Sequence, residues 1–143
     1  MNQRIFVGYF VLFCGIGTVH AQEGMSKSTS AGVFTEEQAQ RGASAYNVKC
    51  SGCHGIKLLS IGPQFPSLAG KSFRNGWVGK TIAEKFEFAR KMMPPKAGGS
   101  FDDQTYLDIV THILRFNKIP AGNQSLTPDL ELLRQIVIEA PPH

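Results

Sequence analysis

Two thiols and an imidazole, set together as Cys50-Ser51-Gly52-Cys53-His54, constrain this 143-residue chain more than any other feature in it. Two cysteines separated by two residues can add to the two vinyl groups of one haem, and a histidine directly after the second is then held beneath the iron as an axial ligand. A thiol–disulfide pair of the thioredoxin kind would want a βαβ setting, which the pattern along the chain lacks. A zinc site is poorer still, because past the first segment no other cysteine exists and only His112 and His143 remain to complete four ligands. Composition points the same way. Removing the first 21 of 143 residues leaves 122, of which 47 are hydrophobic, a low share for a self-sufficient core. A covalently held porphyrin supplies the missing apolar bulk.

Those first 21 residues read as an export signal. Arg4 is their only charge, an apolar run extends from Ile5 to Val19, and Val19-His20-Ala21 places small residues where a signal peptidase inspects them, so cleavage is predicted before Gln22. A membrane anchor is the rival, but the run is short for a bilayer span and is interrupted by Gly8, Gly15 and Gly17. Lipidation at Cys14 fits poorly, since Phe13 is large and Cys14 sits inside the apolar run. On this reading Cys14 leaves with the signal, no disulfide remains, and the mature protein works in the periplasm, soluble or loosely membrane-associated, with no span left after cleavage.

Residues 22–33 are rich in Ser, Lys and Gly and read as a flexible leader, with an ordered domain over 34–143. Thr35-Glu36-Glu37-Gln38 has the form of a capping box, opening a helix from Glu36 to Val48 with Ala39, Gly42, Ala43 and Tyr46 on one face. From Gly55 to Gly79, punctuation by Gly62, Pro63, Pro66, Gly70, Gly76 and Gly79 predicts one long loop. Thr81-Ile82-Ala83-Glu84 is a second capping box, and its helix carries Ile82, Phe86 and Ala89 inward until Pro94-Pro95 stops it. Ser100 is expected to cap a third helix, with Asp102 and Asp103 in the first turn and Tyr106, Ile109, Val110, Ile113 and Leu114 as its apolar stripe. A short last helix near 128–136 starts with Pro128 at its first position and turns Leu130, Leu133 and Ile136 inward. No alternating strand pattern or internal repeat competes, so the fold class is all-α, three to five short helices around one haem.

A sixth iron ligand separates an electron carrier from a site that binds small molecules. Met25 lies in the leader and His143 is terminal. Met93 precedes Pro94, which pushes it out of the α region and lets its side chain swing across a haem face. Met92 is the runner-up, expected to complete the helix, and either methionine could be core filler. His112 falls mid-helix, where a packed or hydrogen-bonded histidine is the ordinary case.

These residues together resemble the monohaem class I c-type cytochromes, over roughly Glu36 to Leu133. Pro66-Ser67-Leu68-Ala69-Gly70 looks like that family's Pro-x-Leu-x-Gly segment. The resemblance implies that the Pro66 carbonyl accepts a hydrogen bond from His54, with Pro63 as the nearby alternative, and that Leu68 packs on the haem. Trp77 matches a family tryptophan near the haem propionates, although a lone Trp is more often core. Gly42 and Tyr46 match the N-terminal helix, where a small residue lets the terminal helices cross closely. Met93-Pro94-Pro95, Gly98 to Asp103, Tyr106 to Leu114 and Asn117 to Gly122 resemble more narrowly the small cytochromes and cytochrome domains associated with quinoprotein alcohol dehydrogenases, except that Thr111-His112 stands where that group usually has Ala-Tyr.

Charge is asymmetric. Lys71, Arg74, Lys80, Lys85, Arg90, Lys91 and Lys96 face only Glu84 and Glu87 over that stretch, while from Ala97 onward six acids outweigh three bases. With Lys49 and Lys57 beside the attachment motif, these could steer an acidic redox partner; a solvated helix face is the plainer explanation. Fifteen basic against eleven acidic residues is too mild a balance for a nucleic-acid binder. The expected function is single-electron transfer through one covalent haem c bound by His54 and Met93, between a dehydrogenase, by resemblance a quinoprotein, and an oxidase or another cytochrome. The expected role is that of a carrier rather than an enzyme. The competing readings are a haem enzyme or dehydrogenase-complex subunit with a displaceable sixth ligand, a gas-binding haem sensor, and a thiol oxidoreductase.

Overall fold

The computed structural model describes residues 27–141; the expected export signal over residues 1–21, with Cys14, and Met25 and His143 lie outside them. The described chain is mostly helical. In order it forms strand β1 (Lys27–Ser28), helices α1 (Glu36–Lys49), α2 (Ser51–His54), α3 (Gly70–Trp77), α4 (Ile82–Met92), α5 (Asp103–Phe116) and α6 (Leu130–Arg134), and strand β2 (Ile136–Val137). No helix among the described residues is long and apolar enough to cross a membrane.

Two threonines start α1 and α4 as their sequences predict. Thr35 accepts from the Gln38 backbone N–H, and at Thr81 both halves of the box form, with Glu84 reaching back to the Thr81 N–H at 2.7 Å. The Thr35 box is only half made. Gln38 turns inward instead, donating to Asp108 at 2.9 Å and exchanging hydrogen bonds with the backbone of Leu126. Asp108 also takes Arg41 at 2.9 Å and Gln104 at 2.7 Å, so every polar atom of this buried cluster has a partner. A buried, satisfiable network outcompetes a solvent-exposed reach-back for the same amide.

Four further expectations need correction. The predicted loop from Gly55 to Gly79 contains α3, which has no side-chain cap and is anchored by buried Phe73 stacked on Trp77 with ring centroids 5.4 Å apart. With one-turn α2, it brings the helices to six among the described residues rather than three to five. Asp102, not Ser100, caps α5 by accepting from Thr105 N–H at 2.8 Å. Asp129 is the N-cap of α6, so Pro128 precedes the helix instead of opening it. Finally, packing extends ahead of Phe34 into the expected leader: β1 pairs in parallel with β2, Thr29 is buried, and its hydroxyl accepts from Glu139 N–H at 3.0 Å.

The core lies where α1, α4 and α5 meet. Tyr46 from α1, Phe86 from α4 and Tyr106, Leu107, Val110 and Leu114 from α5 are essentially inaccessible, joined by Phe34, Leu58, Phe73 and Leu133. Each such side chain contributes about 2 kcal/mol relative to exposure. Gly42 permits the tightest approach, since a Cβ there would overlap the Asp108 carbonyl oxygen of α5. Opposite the crossing, the C-terminus laces onto the turn before α4, with Gly79 N–H donating to Ile138 and Ile138 N–H to Lys80, both at 2.8 Å.

Candidate functional site

Helix α1 ends one residue before Cys50, and the single turn α2 carries the next four. Cys53 and His54 both donate their backbone N–H to the Cys50 carbonyl, at 3.1 and 3.0 Å. Both cysteines are free and partly buried, His54 is buried, and all three line one cavity. Burial, the largest effect, pushes the Cys50 thiol up to about 11; Lys49 opposes it and Cys53 adds to it. At neutral pH Cys50 is therefore a thiol, unlike the depressed thiolates of disulfide oxidoreductases.

The His54 ring is 9 % exposed, and its Nδ1 lies 2.9 Å from the Pro66 carbonyl oxygen. A carbonyl can only accept, so Nδ1 carries the proton and Nε2 keeps its lone pair for a metal. The exposed Pro63 is not the partner. The strap holding Pro66 is itself fastened. Leu68 N–H donates to the Leu58 carbonyl at 2.8 Å, while the Asn117 amide donates to Leu68 O at 2.9 Å and accepts from Gly70 N–H at 3.0 Å. Asn117 is thus a positioning residue that the sequence marked only as part of a resemblance.

Two adjoining cavities open beside His54. The larger, about 260 Å³, is lined among others by Pro66, Leu68, Trp77, Lys85, Val110 and Ile113. The smaller, about 50 Å³, is lined by Cys50, Cys53, Phe101, Tyr106 and Ile109. His54 and Met93 line both. Met93 is the extended C-cap of α4, with φ −120° and ψ 139°, as its place before proline requires. Its carbonyl accepts the Tyr106 hydroxyl at 2.7 Å, and the following loop turns back so that Gly99 N–H donates to Arg90 O at 2.7 Å. Met92 is 56 % exposed and lines neither cavity. His112 lies elsewhere, against Tyr46 and Phe116 between α1 and α5, with ring centroids 5.2 and 6.2 Å away.

The donor set fits a haem c. Two free cysteines line one part of a mostly apolar cleft, with an imidazole of fixed tautomer and a thioether lining both parts. Trp77, Leu68 and Pro66, singled out with this site, all line its larger cavity.

The basic stretch does not stay together as one free patch. Lys80 pairs with Glu84 at 3.5 Å, Arg90 with Asp103 at 3.0 Å and Lys91 with Glu87 at 3.0 Å, whereas Lys85 lies over the Trp77 ring. Lys71, Arg74 and Lys96 are exposed, and Lys49 sits 4.0 Å from the centre of the Phe101 ring that walls the smaller cavity.

The family model described as cytochrome c oxidase, cbb3-type, subunit III matches residues 37–113, more than half of the chain. Among solved structures, that of the sulfane dehydrogenase SoxCD from Paracoccus pantotrophus is similar, with a TM-score of 0.51 and 21 % sequence identity. The similarity covers 76 % of this chain and 62 % of that one, and at such identity it speaks for the fold. No curated protein matches the chain in sequence.

Proposed function

The chain belongs to the c-type cytochrome family of cbb3-type cytochrome c oxidase subunit III and has its all-α fold, and on that premise we propose a one-haem electron carrier with His54 and Met93 as axial ligands. The family brings haem-based electron transfer; the ligand pair, the single covalent haem and the setting are our reading. The observation that carries it is that one histidine and one methionine line both halves of the cleft whose end is walled by Cys50 and Cys53.

When bound, the haem supplies an iron that alternates between ferrous and ferric states. The chain's part is positioning. Cys50 and Cys53 would hold the group as thioethers, and His54, its Nδ1–H committed to Pro66, offers Nε2 in one fixed orientation. Tyr106 steadies the Met93 backbone, and a thioether at that position favours the reduced state. Leu68, Val110 and Ile113 exclude water from the same cleft. With His54 and Met93 both holding the iron, no substrate would need to reach it.

We place the mature protein in the periplasm, exported by residues 1–21, where it would accept electrons from a dehydrogenase and pass them to an oxidase or another cytochrome. Exposed Lys49, Lys57, Lys71, Arg74 and Lys96 are the charges left to steer an acidic partner. Purified protein that is red and retains its haem after acid–acetone extraction, and whose oxidised form binds cyanide slowly, supports the carrier. Rapid cyanide or CO binding would favour the displaceable-ligand enzyme or sensor, and colourless protein the thiol oxidoreductase.

A further inference from the structure

Lys85 is the one charged side chain lining the larger cavity, and no Asp or Glu lines it. Its ammonium nitrogen lies 5.5 Å from the centre of the Trp77 ring, and among the described residues it forms no ion pair. Its neighbours differ. Lys80, Arg90 and Lys91 each have a carboxylate, and Glu84, adjacent in sequence, is occupied by the Thr81 N–H and by Lys80. Burial, the largest effect, draws the Lys85 pKa below the ordinary lysine range, with Glu84 opposing. Lys85 is half-buried, and an ammonium held partly out of water against a largely apolar wall, with no anion beside it, is unfavourable; such groups are normally paired.

The position of the cysteines says which anion would pair with it. Cys50 and Cys53 wall the smaller cavity and Lys85 with Trp77 the larger, while His54 and Met93 are common to both. A porphyrin tethered through its vinyl edge at the cysteines would have its opposite edge, which bears two carboxylates, on the side of the larger cavity that Lys85 lines. We propose that Lys85 is the charge partner of a haem propionate, a positioning residue that tunes the iron's potential, rather than part of a docking surface. This rests on the haem reading above. A cation held against the propionate offsets its negative charge and so favours the ferrous state.

The test compares haem-loaded wild type with K85Q, K85R and K91Q by potentiometric titration and by reduced-minus-oxidised infrared spectroscopy. K85Q is expected to have a lower midpoint potential and a shifted propionate carboxylate band, K85R to restore the potential, and K91Q, which removes an exposed charge paired with Glu87, to change neither. Equal shifts in K85Q and K91Q, or an unmoved carboxylate band in K85Q, overturn the proposal. Should K85Q not accumulate, K85R alone decides: a guanidinium in place of an ammonium shifts the carboxylate band, and an unmoved band overturns it. Wild-type protein without covalent haem overturns the haem reading itself, a result distinct from a haem-bearing protein indifferent to Lys85.

Discussion

The hydroxyl of Tyr106 donates to the backbone carbonyl of Met93 across 2.7 Å, tying the middle of the cleft wall on α5 to the residue that ends α4. Tyr106 is almost wholly buried, and the bond itself is partly so. Tyr106→Phe removes the donor and leaves the carbonyl unpartnered, an expected loss of about 1 kcal/mol in denaturant unfolding. The methionine–iron charge-transfer band of the oxidised protein should also vanish at a lower denaturant concentration than in wild type. An unchanged band with lowered global stability would make the bond structural only.

Gly42 touches the α5 backbone where α1 crosses it. Gly42→Ala must move one helix off the other, at an expected cost of about 1–3 kcal/mol in unfolding free energy. Gly52, on α2, has open space where a Cβ would stand. Gly52→Ala is therefore the control and should stay within about 0.5 kcal/mol of wild type.

His112 gives a pH dependence of known sign. Burial lowers its folded-state pKa below the ordinary value near 6.5, so between those two values the unfolded chain binds the proton and the folded chain does not. Stability then rises with pH through that window; the contribution is complete above about pH 6.5 and is lost on acidification. The ring faces Tyr46 and Phe116, with the Glu36–Arg115 pair lining the same groove. In His112→Phe the slope of unfolding free energy just below pH 6.5 should flatten. An unaltered slope would assign it to other groups.

Withholding the cofactor tests the composition argument. A Cys50→Ala/Cys53→Ala chain lacking haem leaves the cavities beside His54 without their filling. It is expected to show reduced helix signal and a broad, uncooperative thermal transition. Native-like circular dichroism with a sharp transition would mean that the 47 hydrophobic residues after residue 21 suffice.

How much of this was legible in the sequence follows from how local each interaction is. The box at Thr81 forms as written because Glu84 is exposed and its rivals are weak, whereas the equally plausible box at Thr35 loses Gln38 to Asp108, 70 residues away. Helix α3 was hidden by Gly70 and Gly76, which read as breakers; Phe73 and Trp77 hold it through packing that no short pattern records. The β1–β2 pair joins two-residue strands from opposite ends of the chain, too short to leave any periodicity. At the site, the Cys50 to His54 run and the proline after Met93 carry their chemistry in adjacent residues and could be read directly. Asn117, Tyr106 and Lys85 act through folded proximity: Tyr106 and Lys85 read as helix residues and Asn117 only as part of a resemblance until the strap, the α4 end and the cavity wall are brought together.

The most direct test of the central claim is the oxidised-state absorption spectrum of Met93→Ala beside Met92→Ala. Met93 lines the cleft with His54, while Met92 is turned mostly to solvent. A methionine–iron charge-transfer band that is present in wild type, kept in Met92→Ala and lost in Met93→Ala is the expected result. A band lost in Met92→Ala and kept in Met93→Ala, or absent from wild type, would contradict the proposed axial pair.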